Sequence, residues 1–96
     1  MIIKSVADIS GDGSAHTLTS YIGASVQLRW IQISPVSASG TARLGDSDIT
    51  TSRGIPIPHD GSMFCPFNTD TYDPYISDQI YILFPNGETW SIGYAI

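Results

Sequence analysis

Charge and sulfur are both scarce in this chain. Of 96 residues only 14% are charged, against roughly a quarter in an average soluble domain. Four Lys and Arg stand against nine Asp and Glu, for a net charge of −5. The cations Lys4, Arg29, Arg43 and Arg53 are scattered, which excludes the clustered basic surface that DNA, RNA or acidic lipid requires. Cys65 is the single cysteine, so neither an intrachain disulfide nor a cysteine-based metal cluster can form. No apolar run reaches the ~18–20 residues of a membrane span. The start, "MIIKSVAD", lacks the apolar segment of a secretory signal. Synthesis in the cytoplasm, without a membrane stage, is the expectation.

Helix signals are nearly absent too. No window of a dozen residues carries apolar positions at i, i+3, i+4 and i+7, and nine Gly and six Pro interrupt the chain. Strand signals recur instead. "IIKSVADI" ends at the turn cluster Gly11-Asp12-Gly13, and "AHTLTS" is a short strand candidate. "SVQLRWIQIS" places Val26, Leu28 and Trp30 on one phase and Ile31 and Ile33 on the other. That shift suggests a bulge or a strand buried on both faces. Pro35 is expected to end this run. "GTARLG" alternates through Ala42 and Leu44, "IPIP" suits an edge, and "SMFCPF" follows another turn.

"DQIYILF" and "ETWSIGYAI" form the clearest pair, with Pro85-Asn86-Gly87 as a hairpin turn between them. Trp90, Ile92, Tyr94 and Ile96 share one face at period two. About seven or eight short strands with regular turns predict an all-β fold. The expectation is a single-domain antiparallel β-sandwich over 1–96, jelly-roll or Ig-like, in which residues 1–10 can serve as a strand-exchanging arm.

Little in the sequence carries chemistry. "RLGDSDITTSRGIPI" places Asp46 and Asp48 two apart, the only metal candidates. Two carboxylates supply a fraction of the oxygens that Ca²⁺ requires, and Ile-Thr-Thr follows where further ligands would be needed. A turn in which Asp46 and Ser47 bond nearby amides is the preferred reading. No phosphate loop, zinc set or nucleophile elbow is present. No catalytic residue and no cofactor is expected, and the chain reads as a non-enzyme. Cys65 sits in an apolar run and reads as a buried, inert thiol. Ile2, Ile3, Trp30, Tyr72 and Tyr75 are the candidate interface residues, because exposed β-branched and aromatic side chains are frequent contact groups.

The order of "GSAHTLTS", "WIQIS", "ARLGDSDITTSRGIPIPHDGSMFCPF" and "YISDQIYILFPNGETWSIGYAI" resembles small structural proteins of tailed bacteriophages. The likeness rests on the turn Arg43, Gly45, Asp46 and Ser47, on Gly54 and Pro56, on Asp60 and Gly61, and on the late run 80–94. It implies a capsid decoration (cement) protein or another minor virion component, with a β-sandwich or jelly-roll fold and no catalytic residues. It further implies a homo-oligomer, favouring a homotrimer, held to the major capsid protein or other virion proteins at the capsid surface. A phage tail, connector or fibre-associated module is the alternative. A small carbohydrate- or Ca²⁺-binding β module, using aromatics or Asp46 and Asp48, is a further one.

Overall fold

Strand pairing follows one arithmetic rule. The computed structural model describes residues 1–67 and 76–96. Its strands are β1 (Ile3–Ser10), β2 (Ala15–Thr17), β3 (Trp30–Ser37), β4 (Ala42–Gly45), β5 (Ile55–Ile57), β6 (Met63–Pro66), β7 (Tyr81–Leu83) and β8 (Thr89–Ala95). β1 pairs with β8, β2 with β7, β3 with β6 and β4 with β5, all antiparallel, so the numbers in each pair sum to nine. A chain paired this way is one long hairpin with its tip between β4 and β5. Rolling that hairpin adds β8 beside β3 and β7 beside β4. The result is two four-stranded sheets, β1-β8-β3-β6 and β2-β7-β4-β5. This is the eight-stranded jelly roll, and of the two sandwich types expected it is the one that forms.

Both sheets bury their facing sides in one core. Ile31, Ile33, Trp90 and Ile92 come from the first sheet, and Ile57, Ile82 and Phe84 from the second sheet and its exit. The alternation expected in β8 is present: Trp90, Ile92 and Tyr94 are buried. β4 likewise buries Ala42 and Leu44. β5, which carries Pro56, is an edge strand as its composition requires.

Four local expectations are corrected. Within "AHTLTS" only residues 15–17 are extended, and Leu18–Ile22 is a single helical turn, α1. Thr17 caps it by accepting the Ser20 amide, and left-handed Gly23 closes it. One turn is too short to show helical periodicity. The phase change after Trp30 marks the start of β3, not a bulge, because Val26 and Leu28 precede the strand. Pro35 does not end the run, since β3 continues to Ser37. β6 covers only Trp30 to Ile33, so beyond Ile33 a missing N–H costs no bond to that neighbour.

The last correction concerns Pro85-Asn86-Gly87. The turn forms, with the Glu88 amide donating to the Pro85 carbonyl at 3.2 Å. Its flanking strands, however, lie in different sheets. A tight hairpin of the Asn-Gly kind needs positive φ at both central residues. Here only Gly87, at φ 79°, has it. That is the type II pattern, whose twist splays the strands.

This corner crosses the other one, β1 to β2, in backbone contact. The Gly11 amide donates to the Glu88 carbonyl at 2.8 Å, the Gly87 amide to the Gly11 carbonyl at 3.0 Å, and the Gly13 amide to the Phe84 carbonyl at 2.9 Å. A Cβ at Gly11 would lie 2.0 Å from the Pro85 carbonyl oxygen. Gly11→Ala is therefore expected to lower unfolding free energy by at least about 2 kcal/mol in urea melts. Gly61→Ala, where a Cβ meets nothing within 4 Å, is the matched control and should change it by less than about 0.5 kcal/mol.

Candidate functional site

The hairpin tip between β4 and β5 holds the aspartate pair. Asp46 Oδ1 accepts the Asp48 amide at 2.9 Å, and the Asp46 carbonyl accepts the Ile49 amide at 3.3 Å. This is an Asx turn. Ile49 is buried and plugs the loop, since a Cβ on Gly45 or Gly54 would meet its Cγ2 at 2.6 or 2.9 Å. Asp46 and Asp48 are themselves exposed. Among the described residues, no three His, Cys, Asp or Glu side chains are grouped as a metal site would need.

Two further polar clusters serve the fold. Asp12 accepts the Ser14 amide at 3.0 Å and lies 2.6 Å from His16 Nε2; the amide, then the imidazole, hold its carboxyl below the ordinary value. On the other side, buried Ser77 shares a 2.6 Å hydrogen bond with Thr19 and accepts the Val26 amide at 3.0 Å. Neighbouring Asp78 accepts the hydroxyls of Thr19 and Ser25, which lower its pKa in that order. The cluster ties α1 and the segment after it to the 3₁₀ turn Ser77–Gln79. Cys65, expected to be buried, is half-buried beside Leu44, Ile55 and Ile80 in a cleft lined by residues of both sheets. Burial pushes its thiol pKa up, away from the thiolate that nucleophilic chemistry uses.

The candidate contact surface is the outer side of sheet β1-β8-β3-β6. Because Ile31, Ile33, Trp90 and Ile92 point inward, the alternate residues point out. Register aligns them in rows: Ile3, Ala95, Trp30 and Pro66, then Ser5, Gly93, Gln32 and Phe64, then Ser91 and Ser34. None of these ten residues is charged, and the nearest carboxylate on this sheet is exposed Asp8, in the β1 bulge opposite Ser91. Ile3 is 67% exposed and Phe64 55% exposed, while Trp30 is half-buried between them. The Trp30 and Phe64 rings touch, with centroids 5.4 Å apart and planes tilted by 48°. The Trp30 ring edge would stand 3.7 Å from a Cβ on Gly93, so the ring lies over the glycine at ordinary contact distance.

Of the interface candidates, Ile3 and Trp30 are thus brought to one face. Ile2 has the opposite phase and exchanges backbone bonds with Ile96 at 2.9 and 3.0 Å at the sheet edge. Tyr72 and Tyr75 lie outside the described residues. Phe64 and Pro66 were missed by sequence reasoning, although their period-two spacing in "SMFCPF" was visible. Which phase points out depends on β3, a partner far away in the chain. Residues 1–10, expected as a possible arm, supply the edge strand beside β8 of the same chain.

Comparison with protein-family models, with curated proteins and with solved structures finds no match to this chain.

Two outcomes are expected. Millimolar Ca²⁺ or EDTA should leave the melting temperature unchanged, whereas Asp46→Ala should cost about 1 kcal/mol through loss of the Asx bond. A calcium-dependent rise that Asp46→Ala abolishes would restore the metal reading. Separately, Asp12, Asp78 and Glu88 all have lowered pKa values. Depressed carboxyl values give stability that is complete above the ordinary values, 3.8 for aspartate, and is lost as pH falls through the folded ones. Thermal melts should therefore weaken below about pH 4, and Asp78→Asn should flatten that fall.

Proposed function

We propose that this chain is a structural subunit of a bacteriophage virion, a capsid decoration protein that stabilises the head shell by protein–protein contact. The observation that carries the adhesive part of this reading is the outer face of sheet β1-β8-β3-β6, where Ile3, Trp30, Phe64 and Pro66 stand among uncharged neighbours. Interface cores are depleted in charge and enriched in aromatics, and this face has both properties. Exposed Ile3 and Phe64 on the same face of a small acidic domain suit a contact surface.

The virion part rests on the sequence resemblance, and the fold is compatible with it. Jelly rolls build viral capsid domains and lectin domains alike, so the site and not the fold must separate them. A glycan platform presents aromatic rings as a flat stacking surface. The Trp30 and Phe64 rings, tilted by 48° and in mutual contact, form a wedge instead. A wedge suits the uneven surface of a protein partner, for which the major capsid protein is the candidate. Many weak contacts on a shell add up, because valency multiplies a modest affinity.

The test is the number of copies per particle, measured by quantitative mass spectrometry of purified virions whose genome encodes the chain. Hundreds of copies are expected. A handful would move the subunit to the tail or neck, and absence from the particle would refute the virion reading.

A further inference from the structure

We infer that Asn86 is a self-modification site gated by the crossing of the two corners. Its side-chain amide is lost to attack by the Gly87 nitrogen, and only while that crossing is open. The inference is independent of the virion assignment and of the adhesive face.

Asn86 is the only asparagine in the chain that glycine follows. Such a pair deamidates spontaneously, because glycine has no side chain to shield its backbone nitrogen. The Gly87 nitrogen gives its proton to water and attacks the Asn86 carboxamide carbon. A C–N bond forms, the side-chain nitrogen takes up a proton and leaves as ammonia, and a cyclic imide remains. Water then opens the imide on either side, giving aspartate or isoaspartate. No other co-reactant is needed.

One reactant is free and the other is held. Asn86 is exposed, and its carboxamide has no hydrogen-bond partner among the described residues. The Gly87 amide, by contrast, donates to the Gly11 carbonyl at 3.0 Å, so the proton that must leave first is engaged. Neighbouring carboxylates are committed as well. Glu88 accepts the Gly40 amide at 2.7 Å and Trp90 Nε1 at 3.3 Å. Asp12 accepts the Ser14 amide at 3.0 Å and lies 2.6 Å from His16. Attack therefore waits on opening of the corner, and its rate follows the fraction of time the corner spends open.

The two products differ in whether the corner closes again. Aspartate keeps the backbone as it was. Isoaspartate routes the main chain through the former side chain and lengthens the connection from Pro85 to Gly87. Gly11 meets that connection without slack, since a Cβ there would lie 2.0 Å from the Pro85 oxygen and 2.9 Å from that of Phe84. A longer connection cannot keep both the Gly87–Gly11 and the Gly11–Glu88 bonds. Isoaspartyl copies thus stay open, a covalent record of an opening that was otherwise reversible.

Peptide mapping of the full chain by mass spectrometry, after incubation at mildly alkaline pH, tests this. Deamidation at Asn86 should be at least about tenfold slower in native buffer than in denaturing urea, and should climb through the unfolding transition. Gly11→Ala should deamidate faster than wild type in native buffer, and Gly61→Ala should not. If Gly11→Ala fails to fold, the urea series on wild type decides the gating alone. Asn86→Ser should abolish the reaction in every condition. After refolding from urea and brief proteolysis, isoaspartyl chains should fall in the digested fraction and aspartyl chains in the resistant one. Equal rates in native buffer and in urea overturn the gating, as does a folded Gly11→Ala that deamidates no faster. Isoaspartyl chains that refold as completely as unmodified ones overturn the covalent record.

Discussion

The contact of Gly11 with the Pro85 carbonyl leaves no room for a side chain, since a Cβ there would lie 2.0 Å from the oxygen. The rest of the architecture depends on it. A long hairpin can roll into two sheets only if its two chains bend together, and the bend must satisfy amides that no longer belong to either sheet. Gly11, Gly13 and Gly87 do this by exchanging three backbone bonds between the corners. A side chain at position 11 would force the corners apart and unhinge one sheet from the other.

The same corner organises its surroundings. Glu88 follows Gly87, and its carboxylate accepts the amides of Gly40 at 2.7 Å and Ser39 at 3.2 Å from the β3–β4 connection. Trp90 Nε1 donates to its other oxygen at 3.3 Å. Burial raises the carboxyl's pKa, but these donors outweigh it and the net shift is downward. The aromatic rings continue inward, Trp90 stacked on Phe84 and Phe84 edge-on to Tyr21. Burial, and then the charge of Asp12, push the Tyr21 hydroxyl up to about 12. Backbone crossing, carboxylate anchor and aromatic stack together fix how the sheets face one another, and hence which side of β8 is left outside.

Much of this was legible in the residues. Period-two alternation located β4 and β8 and their buried phases, the prolines placed β5 at an edge, and Gly-Asp-Ser-Asp read as the turn it is. What failed were inferences from local signals about distant partners. Asn86-Gly87 announces a reversal, but whether the strands beside it pair depends on β2 and β3 claiming them first. Pro35 is tolerated where β6 has stopped at Ile33's level and the register of β3 on β8 shifts, facts written far away in the chain. The candidate face was half visible for the same reason: Ile3 and Trp30 stand out as residues, but their union with Phe64 and Gly93 exists only once four separated strands are laid side by side.

That β8 lies between β1 and β3 has a bearing on how the chain reaches this state. The central rib of the first sheet follows every other strand in sequence, and its pairing of Ala95 with Ile3 joins segments from opposite ends of the described chain. Topologies dominated by such distant pairings fold slowly. Until the final seven-residue ribbon is in place, β1 has no neighbour, and the oily sides of both sheets stand open to whatever is nearby. Copies that meet in that unfinished condition expose an unpaired edge and apolar surface to one another, the circumstances in which chains join wrongly.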